Sequence, residues 1–137
     1  MKRPGKWIIA GLLGAAVLGG AGLSVWAAEY NQARERRQMA EDMTGGNLEM
    51  AEAHILRYGC AGCHTIPGIS GPEGLVGPPL ADIARRVYIA GVLTNTPDNM
   101  VRWIVDPPAI DPLTAMPVTG ITDAEARDVA AYLYSLR

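Results

Sequence analysis

Apolar and polar positions divide the chain into three stretches of different character. Trp7 to Ala28 runs through 22 residues without a charge, behind a basic segment, residues 1–6, that carries Lys2, Arg3 and Lys6. A helix of that length reaches about 33 Å, enough to cross a hydrocarbon core near 30 Å. The pattern predicts a transmembrane anchor over residues 7–28, in preference to a secretory signal cleaved after Val25-Trp26-Ala27. Gly11, Ala15 and Gly19 form a stripe on which a second membrane helix could pack, although an Ala/Gly-rich composition alone accounts for it. Residues 29–46 read as a charged helical linker, broken at Thr44-Gly45-Gly46.

From residue 47 to residue 137 the apolar positions recur with helical period. Asn47 is an N-cap for a helix that carries Leu48, Ala51, Ile55 and Leu56 on one face. His54 falls off that stripe and reads as a solvated helix residue. Thr96-Pro97-Asp98 opens a second helix with Met100, Val101, Trp103 and Ile104, and Asp106-Pro107-Pro108 ends it. Thr122-x-x-Glu125 is a capping box for the last helix, whose Ala126, Val129, Ala130 and Leu133 fall on one face. Between the first two helices, Thr65 to Pro79 interleaves glycines with prolines and reads as loop that can lie close to a flat group. No alternating β-branched run suggests a sheet, so the expected fold class is all-α.

Composition shows that this helical domain is short of core. The chain has no Phe, and beyond Gly45 its aromatics are Tyr58, Tyr88, Trp103, Tyr132 and Tyr134. A domain of this size buries only about 60 to 65% of its unfolded surface, so a large apolar cofactor would supply what the side chains lack. Six arginines, no lysine and ten acids follow Gly45, a net charge of −4. That balance excludes nucleic acid as a partner and leaves no lysine-rich docking face. No hydrolase elbow, phosphate loop or zinc-protease motif is present, and no small-molecule substrate is expected.

The cofactor is named by one run, Cys60-Ala61-Gly62-Cys63-His64, which holds every cysteine in the chain. C-x-x-C-H is the attachment pattern of covalent haem: two thiols form thioethers to one porphyrin and the adjacent imidazole reaches the iron. A structural zinc site needs four Cys or His ligands, and His54 is the sole addition on offer. A thioredoxin-like dithiol would accompany a βαβ pattern, which is missing.

A methionine thioether is one established ligand for the iron face opposite His64. Met100 lies within an amphipathic helix, where packing is the default, whereas Met116 sits in the irregular segment Asp111-Pro112-Leu113-Thr114-Ala115-Met116-Pro117. Met116 is the favoured ligand. A bis-histidine iron using His54 is the alternative.

Cys60 to His64, Gly77-Pro78, Pro107 and Ala115-Met116-Pro117, in this order among three helices, resemble a class I mono-haem c-type cytochrome over roughly residues 45–137. The resemblance implies a small helical fold around one covalent haem c, with Cys60 and Cys63 as thioether sites and His64 and Met116 as iron ligands. It implies that the Pro78 carbonyl accepts the free imidazole N–H of His64, that Arg86 (with Arg85 as competitor) steadies a propionate, and that Leu80, Trp103 and Leu133 contact the haem. Tyr132 would help join the terminal helix to the first. Where the family often has Gly at that helix crossing, Ala51 or Glu52 stands here.

Segments such as Gly77-Pro78-Pro79-Leu80 and Asn95-Thr96-Pro97 further resemble cytochrome c domains associated with bacterial haem-copper oxidases. The implied function is that of an electron carrier, not an enzyme, moving electrons from a quinol-oxidising complex to a terminal oxidase. Its haem domain would lie on the periplasmic or extracytoplasmic side of the cytoplasmic membrane, with the amino terminus inside. A haem protein with an open iron site for peroxide or gas chemistry, or a structural haem subunit of an oxidase, is the alternative.

Overall fold

A computed structural model describes residues 5–71 and 74–136, with side chains described from residue 19 onward. The chain divides into two compact units, Met1–Glu35 and Arg36–Arg137. Helix α1 runs from Gly5 to Thr44 and contributes to both. The side chains of the basic segment, of Gly11 and Ala15, and of the apolar stretch through residue 18 lie outside those described, as do Pro72 and Arg137. Among the described residues no helix is long and apolar enough to cross a membrane.

In the second unit, α2 spans Leu48–Arg57, α3 Pro97–Val105, α4 Pro107–Ile110 and α5 Asp123–Ser135. Each predicted cap is made. Asn47 Oδ1 accepts from Glu49 N at 2.8 Å, Thr96 Oγ1 from Asn99 N at 3.3 Å, and Thr122 and Glu125 cap each other reciprocally. The Asp106-Pro107-Pro108 stop also starts α4, because the Asp106 carboxylate accepts from Ala109 N at 3.2 Å and Pro107 suits the first helical position.

The absence of any sheet is corrected by a small antiparallel hairpin, β1 (Tyr88–Ile89) and β2 (Leu93–Thr94), with Tyr88 opposite Thr94 and Ile89 opposite Leu93. Two-residue strands are too short to show alternation in sequence. The turn between them requires left-handed backbone, with φ of 50° at Ala90 and 79° at Gly91.

Helices α2 and α3 pack on α5. Ile55, Val101, Ile104, Val129 and Leu133 form the core with Ile66, Ile83 and Ile89 from the intervening loops. Burial of each such side chain contributes about 1.5–3 kcal/mol. At the α2–α5 crossing Ala51, Ala126 and Ala130 are fully buried, so small side chains let the helices approach; Glu52 points to solvent. The closest backbone approach is made by Gly46, where an added Cβ would stand 2.7 Å from Asp128 N and overlap the Arg127 carbonyl. From Arg36 the segment read as a linker belongs to the second unit. There Ala40 is buried with Leu48 and Ala131.

Candidate functional site

Helix α2 ends at Arg57, and Gly59, with φ of 69°, turns the chain into a tight helical turn over Cys60–Gly62. The His64 N–H donates to the Cys60 carbonyl at 2.9 Å, which draws the five residues of the motif into one compact loop. Cys60, Cys63 and His64 all face a cavity of about 660 Å³, within the range of small-molecule sites.

The other walls come from separate parts of the chain. The glycine-proline loop brings Gly77, Pro78 and Leu80, α3 brings Met100, Trp103 and Ile104, the segment before α5 brings Thr114 to Pro117, and α5 brings Val129 and Leu133. Every residue singled out from the sequence for cofactor contact therefore lines one space: Cys60, Cys63, His64, Pro78, Leu80, Arg86, Trp103, Met116 and Leu133.

His64 Nδ1 lies 2.8 Å from the Pro78 carbonyl oxygen. A carbonyl only accepts, so Nδ1 carries the proton and the lone pair is left on Nε2. That tautomer is the one a metal-ligating imidazole needs. The loop that supplies Pro78 is laced to the haem motif by Gly74 N to Ala61 O at 3.2 Å, Gly77 N to Cys63 O at 2.8 Å and Leu80 N to Thr65 O at 2.9 Å. Its glycines are required by contact: a Cβ on Gly74 would stand 2.5 Å from the Cys63 carbonyl carbon, and one on Gly77 would stand 2.6 Å from His64 Nδ1. The far end is pinned by Tyr132, whose hydroxyl donates to the Pro67 carbonyl at 2.7 Å.

Met100 and Met116 share the cavity but differ in setting. Met100 is 2% exposed within the packed face of α3. Met116 is half-buried on irregular chain shaped by an Asp111 turn, with Leu113 N donating to Asp111 Oδ1 at 3.0 Å and Met116 N to Thr114 Oγ1 at 3.2 Å.

The two arginines separate. Arg86 lines the cavity and donates from Nη2 to the carbonyls of Pro79 and Ala81, whereas Arg85 is exposed, 3.8 Å from Asp82.

His54 is not the solvated residue expected from its place off the apolar stripe. Its side chain is 12% exposed between α2 and α5, with Nε2 3.2 Å from Asp128 and Nδ1 3.7 Å from Glu125. It does not line the cavity. The same Glu125 accepts from the Tyr58 hydroxyl at 2.8 Å, a link the sequence reading missed because it joins two helices. Hydrogen bonds from the Thr122 side chain and backbone, then from Tyr58, hold the Glu125 carboxyl down at about 2, and the bond to Glu125 pushes the Tyr58 phenol up.

The donor set suits a covalently attached porphyrin: two thiols, an imidazole with a free Nε2, a thioether and largely apolar walls. Among the described residues no group of three or more His, Cys, Asp and Glu is placed to hold a metal ion.

A family model for cytochrome c matches residues 50–137. The chain is 30% identical over 87 residues to cytochrome c oxidase subunit 2 of a Bacillus species, covering 61% of this chain and 24% of that one. It is 32% identical over 79 residues to cytochrome c oxidase subunit 2 of Alkalihalophilus pseudofirmus, covering 57% and 22%. The chain thus spans about a quarter of the length of these relatives. No solved structure matches.

Proposed function

The chain belongs to the cytochrome c family, and on that premise we propose that it carries single electrons in a respiratory chain, from a quinol-oxidising complex to a terminal haem-copper oxidase. Cys60 and Cys63 attach one covalent haem c. Bound there, haem supplies a one-electron iron couple.

The chain's own residues decide what that couple can do. In this reading His64 Nε2 and the Met116 thioether would hold the iron, which would leave no position for a substrate and restrict the site to outer-sphere transfer. Pro78 orients His64 through the Nδ1 hydrogen bond. Leu80, Trp103 and Leu133 keep water from the cavity, and thioether ligation with a dry surround favours the ferrous form.

Partner contact is supported by the cavity rim. Val76 and Tyr88 line the cavity and are also largely exposed, and Leu75, Val87, Leu113 and Val118 are exposed directly beside lining residues. The segments 74–80, 87–92 and 112–119 that carry them contain no charged residue. An oxidase as the acceptor is supported by the likeness to two oxidase subunits. The uncharged stretch over residues 7–28 supports a single-pass anchor, and covalent haem attachment supports a haem domain outside the cytoplasm, where tethering raises the effective concentration of partners.

The observation that carries this reading is that Met116 and a His64 with its Nε2 free line the same cavity as both cysteines. Its test is spectroscopic, on protein purified from native membranes. A near-infrared thioether-to-ferric-iron band, lost in Met116→Leu, is expected. Absence of that band together with rapid carbon monoxide binding to the ferrous protein would instead establish an open iron site.

A further inference from the structure

Asn95 spends every polar atom of its side chain just behind the cavity wall, on the backbone of two lining residues and on one tyrosine. Its Nδ2 donates to the carbonyls of Ile83 at 2.8 Å and Arg86 at 2.7 Å, and its Oδ1 accepts from the Tyr134 hydroxyl at 2.6 Å. Its backbone N–H donates to the Val87 carbonyl at 2.9 Å. The amide orientation is dictated by these partners, since both carbonyls can only accept. Tyr134 remains a neutral donor, because burial pushes its phenol up to about 12.

The segment gripped in this way is the one that carries Arg86 into the cavity. It opens on Asp82 in a left-handed conformation, φ 54°, which disfavours a non-glycine residue, and continues through one short turn over Ile83–Arg85. The Arg86 guanidinium then donates to the Pro79 and Ala81 carbonyls. Pro79 follows Pro78, whose own carbonyl accepts from His64. A continuous path of hydrogen bonds and short backbone steps therefore runs from Tyr134 on α5, through Asn95 and Arg86, to the strip of chain that orients His64.

We propose that Asn95, braced by Tyr134, is a positioning residue that holds the Arg86 cation in the cavity wall and thereby raises the reduction potential of the bound haem. The inference rests on the electron-carrier reading. A positive charge held at a fixed place beside the cavity favours the state with one more electron. Without the Asn95 donors, the Arg86 carbonyl loses its side-chain partner and the Ile83 carbonyl keeps only the Arg86 N–H at 3.2 Å, so the segment relaxes and the guanidinium turns toward water, where its charge is screened.

The test is redox titration of the full-length holoprotein in detergent. Asn95→Ala is expected to lower the ferrous-to-ferric ratio at a fixed poise by roughly threefold to tenfold, tenfold being about 59 mV for one electron. Tyr134→Phe shifts it less, in the same direction. Arg86→Gln lowers it by itself, and adding Asn95→Ala to that variant changes nothing more. An unchanged potential in Asn95→Ala, or its full shift persisting beside Arg86→Gln, overturns the proposal. Where Asn95→Ala fails to retain haem, Tyr134→Phe decides, because it removes one hydroxyl and no cavity-lining atom: an unchanged potential there overturns the proposal. Absence of the thioether band from the unsubstituted protein would overturn the carrier reading itself. Unchanged potentials in variants that keep the band overturn this inference alone.

Discussion

Gly77 lies flat against the imidazole of His64, so close that a Cβ on it would stand 2.6 Å from Nδ1 and 2.8 Å from Nε2. The same glycine donates its N–H to the Cys63 carbonyl at 2.8 Å and cannot back away without breaking that bond. Gly77→Ala should therefore tilt the ring away from the Pro78 carbonyl and cost about 1–3 kcal/mol as an overpacked site. Thermal unfolding and the haem spectrum of the matured protein check this; a variant with unchanged melting and unchanged spectrum would show that the loop yields freely.

The hydroxyl of Tyr132 ties α5 to the start of the haem loop at Pro67. Tyr132→Phe removes one hydrogen bond at an exposed carbonyl, so its cost falls near the lower end of about 0.5–1.5 kcal/mol. Its local effect is larger than its global one: amide exchange over residues 65–77 should accelerate while exchange in α5 changes little.

Glu125 couples acid stability to the α2–α5 contact. Its carboxyl titrates at about 2 in the folded chain against an ordinary 4.5, so the unfolded chain binds its proton first. The stabilisation is present above the unfolded value and is lost as pH falls from there toward about 2. Tyr58→Phe removes one of the bonds that hold the carboxyl down. Denaturant titrations across this window should show a shallower loss of stability in the variant, and parallel curves would remove Tyr58 from the account.

Electron exchange with a partner should depend weakly on ionic strength, because the exposed rim segments are uncharged and salt screens only charged contacts. Stopped-flow rates with the purified acceptor over a range of salt concentrations test this. A steep fall with salt would place docking on the arginines and acids elsewhere on the domain.

Removing the haem should unfold the domain. An empty space of about 660 Å³ would leave the apolar side chains of α3 and α5 that line it without packing partners. The space collapses instead, and helical packing is lost with it. A Cys60→Ser/Cys63→Ser/His64→Ala chain should show no cooperative thermal transition; a sharp one would contradict this.

The parts of this protein legible in its sequence are those whose physics is local. Helix starts were readable at Asn47, Thr96 and Thr122 because each cap bonds a backbone N–H two or three residues away. The haem motif was readable because both thiols and the imidazole fall within five residues. The hairpin over Tyr88–Thr94 escaped because strands this short carry no periodic signal. His54 was misread because the acids that enclose it lie on α5, and distance from an apolar stripe does not reveal what another helix brings.

The sequence by itself determined the cofactor, the mostly helical class and the two methionines from which a second ligand could come, since these follow from residue type and short spacing. Tertiary structure alone decided that Arg86 rather than Arg85 lines the cavity, that Gly46 and not a glycine within α2 makes the close approach to α5, and that Asn95 grips the wall. The physical reason is common to all three. Each depends on backbone atoms or side chains delivered by another element, and a carbonyl looks the same in every residue until the fold aims it.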